Sequence, residues 1–174
     1  MLVDESGFML QPVRRRTWAP RGKTPVQNTW ERHDRLSAVA TLTVSPRRHR
    51  LGYFFSLWPH NITTEEMVWF LTQMHRYFRH EVIIVWDRWQ VHRSAAAYFA
   101  ARHPDWFQFE WLPAYAPELN PVEPSWGHTK YSDLANFVAR GTPDLEAAIR
   151  QSLDQKADSQ SLLQSFFDYS ELPL

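Results

Sequence analysis

Apolar residues follow two different periods along this chain. In the first third they come in short runs rich in β-branched and aromatic residues. "MLVDES" (residues 1–6) reads as a short strand with Asp4 inside it. "LSAVATLTVS" (36–45) and "RLGYFFSLW" (50–58) read as two more. The polar link "SPRRH" between the last two predicts antiparallel pairing, and the proline-, arginine- and glycine-containing stretch 9–30 predicts a hairpin or long turn. From residue 61 the period changes. Met67, Phe70, Leu71, Met74 and Phe78 recur three and four apart, which marks an amphipathic helix with Thr63 or Thr64 as its N-cap. "EVIIVWD" (81–87) is a continuous apolar run of the kind buried on both faces of a sheet. An alanine-rich helix stopped by Pro104 follows, then the alternating strand "WFQFEWLP" (106–113). A helix opens at residue 120, with Gly127 a weak point and Gly141 a stop, and a helix or broken helix pair fills 142–170. The order predicts an α/β fold: an antiparallel three-stranded meander, then parallel strands, with helices on both faces of one mixed sheet. No internal repeat or low-complexity linker divides residues 1–174, which reads as one domain.

Composition narrows the picture little. The 174 residues carry 44% hydrophobic and 22% charged residues with zero net charge, so overall charge does not argue for nucleic acid. Its distribution says more: lysines number three and arginines sixteen, with clusters at 14–16 and 47–50. Arginine is the better fork for phosphate, although a solvated turn explains each cluster equally well. There is no cysteine, which removes disulfides and thiolate metal sites and fits a reducing compartment. No apolar run is long enough to span a membrane, and "MLVDESGF" does not read as a signal peptide.

Three acids stand where a mixed sheet presents ligands, at strand ends and adjoining loops. Asp4 lies in the first strand, Asp87 ends the apolar strand, and Glu123 opens the helix after the last strand. Neighbouring first and fourth strands would let them meet. A carboxylate cluster without thiolates suits a hard divalent cation such as magnesium, and paired ions suit in-line displacement at a phosphodiester. Each acid also has a plainer reading. Glu123 falls at the third helical position if Asn120 caps the helix and Pro121 follows, making a capping box. Asp87 would simply cap the next turn, and Asp4, beside Glu5, would be surface. Glu118 reads as loop.

"VDESGF", "VWDRWQVHRS" and "LPAYAPELNPVEPSWGHTK" together resemble the catalytic domain of DDE transposases, of the mariner-like superfamily and related bacterial insertion sequences. The proline–asparagine signature from Tyr115 to Trp126 is the specific part, and 35 residues separate Asp87 from Glu123, close to that group's habit. The resemblance implies an RNase H-like, retroviral-integrase-like fold. It also implies metal-dependent hydrolysis of DNA phosphodiesters followed by strand transfer. Asp4, Asp87 and Glu123 would be the metal-binding triad, holding two Mg2+ ions, with Mn2+ as substitute. His92 and Arg93 match the pattern after the second aspartate and would approach a phosphate, unless His92 merely packs at its helix start. Lys130, two helical turns beyond Glu123, would touch the DNA backbone; Trp126 reads as core.

The chain departs from the pattern at Arg88, where relatives commonly carry asparagine, and at Pro124, which predicts a local helix distortion. Nothing resembles the N-terminal helix-turn-helix region of full transposases. Double-stranded DNA, at transposon ends and target, is the implied partner. A helix-turn-helix polypeptide from an adjacent reading frame and a homodimer are further expectations, as is a cytoplasmic, nucleoid-associated place in a bacterium. The competing readings are a decayed or repurposed non-catalytic domain that binds DNA or a partner, and another RNase H-like nuclease. A glycosidase, with paired carboxylates, leaves the third acid unexplained.

Overall fold

The computed structural model describes residues 1–28, 34–47, 50–114, 116–170 and 172. Tyr115 of the signature and residues 48 and 49 of the second arginine cluster lie outside them. Five strands form one sheet: β1 (Leu2–Met9), β2 (Arg35–Val44), β3 (Leu51–Trp58), β4 (Val82–Trp86) and β5 (Phe107–Trp111), in the order β3-β2-β1-β4-β5. β1, β2 and β3 pair antiparallel, whereas β1–β4 and β4–β5 are parallel. The expected mixed sheet is therefore the observed one.

Side chains alternate across the central strands, so each sheet face has its own core. Leu2, Phe8, Ala38, Ala40 and Leu42 face one side. Val3, Val39, Ile84 and Trp86 face the other. The second face is covered by α1 (Thr64–Phe78) and α2 (Gln90–Arg102) through Met67, Phe70, Leu71, Ala95 and Phe99. α1 opens with the expected Thr63 cap, whose backbone N–H donates to Glu66 at 2.8 Å in a capping box. The first face is covered by α3 (Glu123–His128), α4 (Thr142–Ala157) and α5 (Gln160–Tyr169) through Trp126, Ile149, Leu153, Leu163 and Phe166. A new N-cap, Ser159, divides α4 from α5 and decides for the broken helix pair. No helix among the described residues is long and apolar enough to cross a membrane.

Two segments differ from the periodicity. β1 continues to Met9, beyond the expected residue 6, because β2 pairs with it along its whole length. The single helix expected from residue 120 is instead α3 followed by a π-helical turn, Thr129–Asp133, in which the Leu134 N–H reaches the Thr129 carbonyl at 2.9 Å. Pro124 supplies no N–H at the start of α3, and the Thr129 hydroxyl donates to the Ser125 carbonyl at 2.9 Å, a back-bond that loosens a helix turn.

Candidate active site at the ends of β1 and β4

β1 is the centre of the sheet and brings its acids to β4 by register. Leu2 pairs with Val85, and Asp4 on β1 and Asp87 just past β4 each lie two residues beyond that pair. Alternation turns Asp4 toward α3, where the Trp126 indole N–H donates to its Oδ2 at 2.9 Å. It turns Glu5 the other way, toward α2, where Glu5 Oε2 lies 3.1 Å from His92 Nε2.

Glu123 arrives from the loop. Asn120 is buried, donates to the Val3 carbonyl at 3.1 Å, and accepts from the Val122 N–H at 3.2 Å. It thus ties the loop to the strand residue before Asp4. The helix cap is Val122, not Asn120, and Glu123 stands at the first helical position without a side-chain capping bond. The capping-box reading of Glu123 fails for that reason. Trp126, one turn on, is pinned to Asp4 and packed edge-on against Phe8 at 6.0 Å, so α3 is held over β1 with Glu123 at its open end. The indole N–H on Asp4 is a role beyond the core packing expected of this residue.

Burial raises the Asp4 carboxyl well above its usual range, and the charges of Glu5 and Glu123 raise it further, against the Trp126 hydrogen bond. Burial also raises Glu123; Lys130 opposes this, while Glu5 and Asp87 add to it. Asp87 behaves differently. A hydrogen bond from His92 holds it below the ordinary value, helped by the Trp89 N–H at 2.9 Å. The Lys130 ammonium donates to Ser6 Oγ at 2.7 Å and lies 5.3 Å over the Phe8 ring; burial lowers its pKa against the attraction of Glu123 and Asp4.

The acids gather at one end of the sheet, but they are not a finished cage. Among the described residues, no group of three histidine, cysteine, aspartate or glutamate side chains is arranged to hold a metal ion. Two of the oxygens are already engaged, Asp4 Oδ2 by Trp126 and Asp87 Oδ1 by His92 and Trp89. The donor chemistry, all carboxylate oxygen with its charge incompletely offset, fits a hard divalent cation.

Other expected site residues are placed as follows. His92 is fully buried, with Nδ1 2.6 Å from Asp87 Oδ1 and Nε2 on Glu5. That corrects the expectation of a phosphate contact, because neither ring nitrogen is free to reach one. Burial would lower its pKa, but the bonds to Asp87 and Glu5 outweigh burial and push it up to about 9. Arg93 and Arg88 are exposed, and Arg93 donates to Gln90 at 2.7 Å. Glu118 sits exposed in a 3-10 turn, Pro117–Leu119. Sequence reasoning missed Glu5. The available signal was strand alternation, which sends adjacent acids to opposite faces, together with the five-residue step from Asp87 to His92.

Comparison with known proteins agrees with this geometry. The family model for the DDE superfamily endonuclease matches residues 1–141. No curated protein matches. Among solved structures, the chain is similar to the Mos1 mariner paired-end complex with Mn, at TM-score 0.64 and 14% identity, over 98% of this chain and 53% of that one. It is also similar to the Mos1 strand transfer complex, at TM-score 0.64 and 14% identity, over 96% and 50%. A Mos1 paired-end complex with the left transposon end gives TM-score 0.62 and 14% identity, over 97% and 50%. At that identity the likeness establishes the RNase H-like fold, and the chain spans about half the length of the chains it matches.

Proposed function

Since the chain belongs to the DDE superfamily endonucleases, we propose that it carries out the DNA-cleaving and strand-transferring chemistry of a transposase, using divalent metal. The observation that supports this most is that Asp4 and Glu123 are each raised by burial and by carboxylates nearby, Glu5 and Glu123 acting on Asp4, and Glu5 and Asp87 on Glu123. A protein that keeps such charge together at a cost to itself has a use for a cation there.

In this reading Asp4, Asp87 and Glu123 hold Mg2+, with Mn2+ able to replace it. Divalent metal held there would supply activation of the attacking water or 3′-hydroxyl and charge stabilisation for the departing 3′ oxygen. The chain's own residues do the rest. Trp126 fixes Asp4 by Oδ2. Asn120 and Trp126 together hold the start of α3 against β1, so Glu123 keeps its place as DNA arrives. Lys130, already beside Glu123, supplies a cation for the DNA backbone on the same side. Exposed Arg93 offers a second contact. The substrate is double-stranded DNA at an element's end and then at its target. A helix-turn-helix polypeptide would read those ends sequence-selectively, and the unit would work as a homodimer. This catalytic unit by itself binds DNA weakly and with steep salt dependence.

The test is nicking of supercoiled plasmid with Mg2+ or Mn2+, comparing the protein with Asp87→Ala and Glu123→Ala. Loss in both variants supports the assignment, and unchanged nicking in both ends it. The incomplete cage favours one alternative, a domain that keeps the fold and binds DNA without cutting it. Nicking that is absent from the unaltered protein while DNA is still bound selects that reading.

A further inference from the structure

We propose that His92 is a positioning residue for the metal site: it fixes which oxygen of Asp87 faces the cation, and it sets the spacing of Asp87 from Asp4 by tying Asp87 to Glu5. The inference rests on the metal-dependent function proposed above and concerns two residues, His92 and Glu5, that are not themselves in the triad.

Two observations carry it. The first is the direction of the hydrogen bonds. His92 Nδ1 lies 2.6 Å from Asp87 Oδ1, and the Trp89 N–H donates to the same oxygen at 2.9 Å. Among the described residues no donor reaches Oδ2. One oxygen is therefore held by the protein and the other is presented outward, on a side chain that is 56% exposed. The imidazole can impose that orientation because it is itself fixed. It is fully buried, stacked on the Trp86 ring at 4.5 Å and 14°, and met edge-on by Trp89 at 5.5 Å. A group that orients a ligand must have its own rotamer locked by packing, and this one does.

The second observation is how thin the sheet is where the site lies. β1 and β2 pair from Leu2↔Leu42 through to Met9↔Arg35. β1 and β4 share the single register pair Leu2↔Val85, and the Val85 N–H reaches the Met1 carbonyl at 2.8 Å. Both contacts lie before the acids. Beyond them the two chains would diverge with the ordinary twist of a sheet. His92 crosses that gap. One nitrogen holds Asp87 past the end of β4, and the other holds Glu5 on β1, the residue adjoining Asp4. The separation of Asp4 from Asp87 thus depends on a side-chain bridge where backbone pairing has stopped. Partners behind a metal ligand typically matter for affinity by about 10- to 100-fold.

The variants separate the two bonds. His92→Phe keeps a ring on Trp86 and removes both donors. His92→Asn places an amide N–H near the position of Nδ1, and His92→Gln places one near that of Nε2. The readout is Mn2+ affinity by calorimetry, with circular dichroism and thermal unfolding as controls for the fold. We expect His92→Phe and His92→Gln to bind Mn2+ about 10- to 100-fold more weakly than the unaltered protein. His92→Asn should recover most of the loss. Glu5→Ala, at a side chain that is 22% exposed, tests the second anchor should His92→Phe fail to fold, and it should weaken Mn2+ binding several-fold. Folded His92→Phe with unaltered Mn2+ affinity overturns the inference while leaving the triad standing. So does equal weakening in all three His92 variants, and so does unaltered affinity in Glu5→Ala. An unaltered protein that takes up no Mn2+ overturns the proposed function, and with it any role for His92 in serving a metal.

Discussion

The molecule holds two polar clusters inside its first sheet face, and they handle charge in opposite ways. At the junction of α4 with the π turn, the Lys156 ammonium is 1% exposed, yet it donates to Asp133 Oδ2 at 2.6 Å, to Ser152 Oγ at 2.8 Å and to the Ser152 carbonyl at 3.2 Å. Asp133 also accepts from Ser152 Oγ at 2.6 Å, with His128 Nδ1 at 3.3 Å. Burial would raise the Asp133 carboxyl, but the bonds from Lys156 and Ser152 outweigh it and lower it. Within β1, Asp4 is also buried, at 9% exposed, and the charges of Glu5 and Glu123 raise its carboxyl further. The first cluster holds a cation and its carboxylate together, although burial still lowers the Lys156 ammonium, whereas at Asp4 the neighbouring carboxylates add to the effect of burial. Strain of that kind, retained where the fold could have relieved it, is what separates a site from a brace.

The largest effect that sharpens this contrast is catalytic. Asp87→Ala and Glu123→Ala should each cut metal-dependent nicking by more than about 100-fold, since loss of a direct ligand exceeds loss of a partner behind it. Thermal unfolding of Glu123→Ala should stay close to that of the unaltered protein, whereas Asp87→Ala also takes a hydrogen-bond partner from buried His92 and should unfold at lower temperature. Next in size is the brace. Asp133→Ala leaves a buried ammonium without its counter-ion and should cost roughly 3 kcal/mol in urea unfolding. Lys156→Met replaces the charge by an apolar chain of similar length and should cost far less. If Asp133→Ala is tolerated as easily as Glu123→Ala, the contrast is broken.

The third prediction concerns pH. Asp4 and Glu123 have folded-state values above their unfolded ones. The native state therefore binds more protons than the unfolded state between those two values, and stability falls as pH rises through that window. Without metal, the protein should be more stable just above the ordinary carboxylate range than at neutral pH. Asp4→Asn should flatten that slope and stabilise the metal-free protein at neutral pH by on the order of 1 kcal/mol. Asp133 has the opposite sign: its contribution is present above the unfolded value and is lost as pH falls through the lowered folded one. The smallest effect is on DNA. Lys130→Gln should reduce the salt slope of DNA binding by about one and weaken all sequences alike.

Much of the architecture was legible in the sequence because its periods are long and clean. Met67 to Phe78 announces α1, and the run before Asp87 announces a doubly buried strand. The three acids could be named from their places at strand ends and from the motifs around them. What could not be read was which way short polar side chains turn. Asn120 fits the pattern of a helix cap, yet its amide is spent on the Val3 carbonyl across the sheet, a contact 117 residues away in the chain. The break after His128 goes with a hydroxyl back-bond from Thr129 to the Ser125 carbonyl, too local for an apolar period to register. His92 carries no signal of burial by itself; only the packing of Trp86 against it, and the approach of Glu5 from β1, make it a bridge.

The central claim is that the acids on β1, just past β4 and at the start of α3 are held together for a divalent cation, and thermal unfolding with and without MnCl2 tests it most directly. A ligand that binds only the folded protein raises its melting temperature. The account predicts that Mn2+ raises the melting temperature of the unaltered protein and leaves Asp4→Asn and Glu123→Gln unmoved. An equal rise in all three, or none in the unaltered protein, contradicts it.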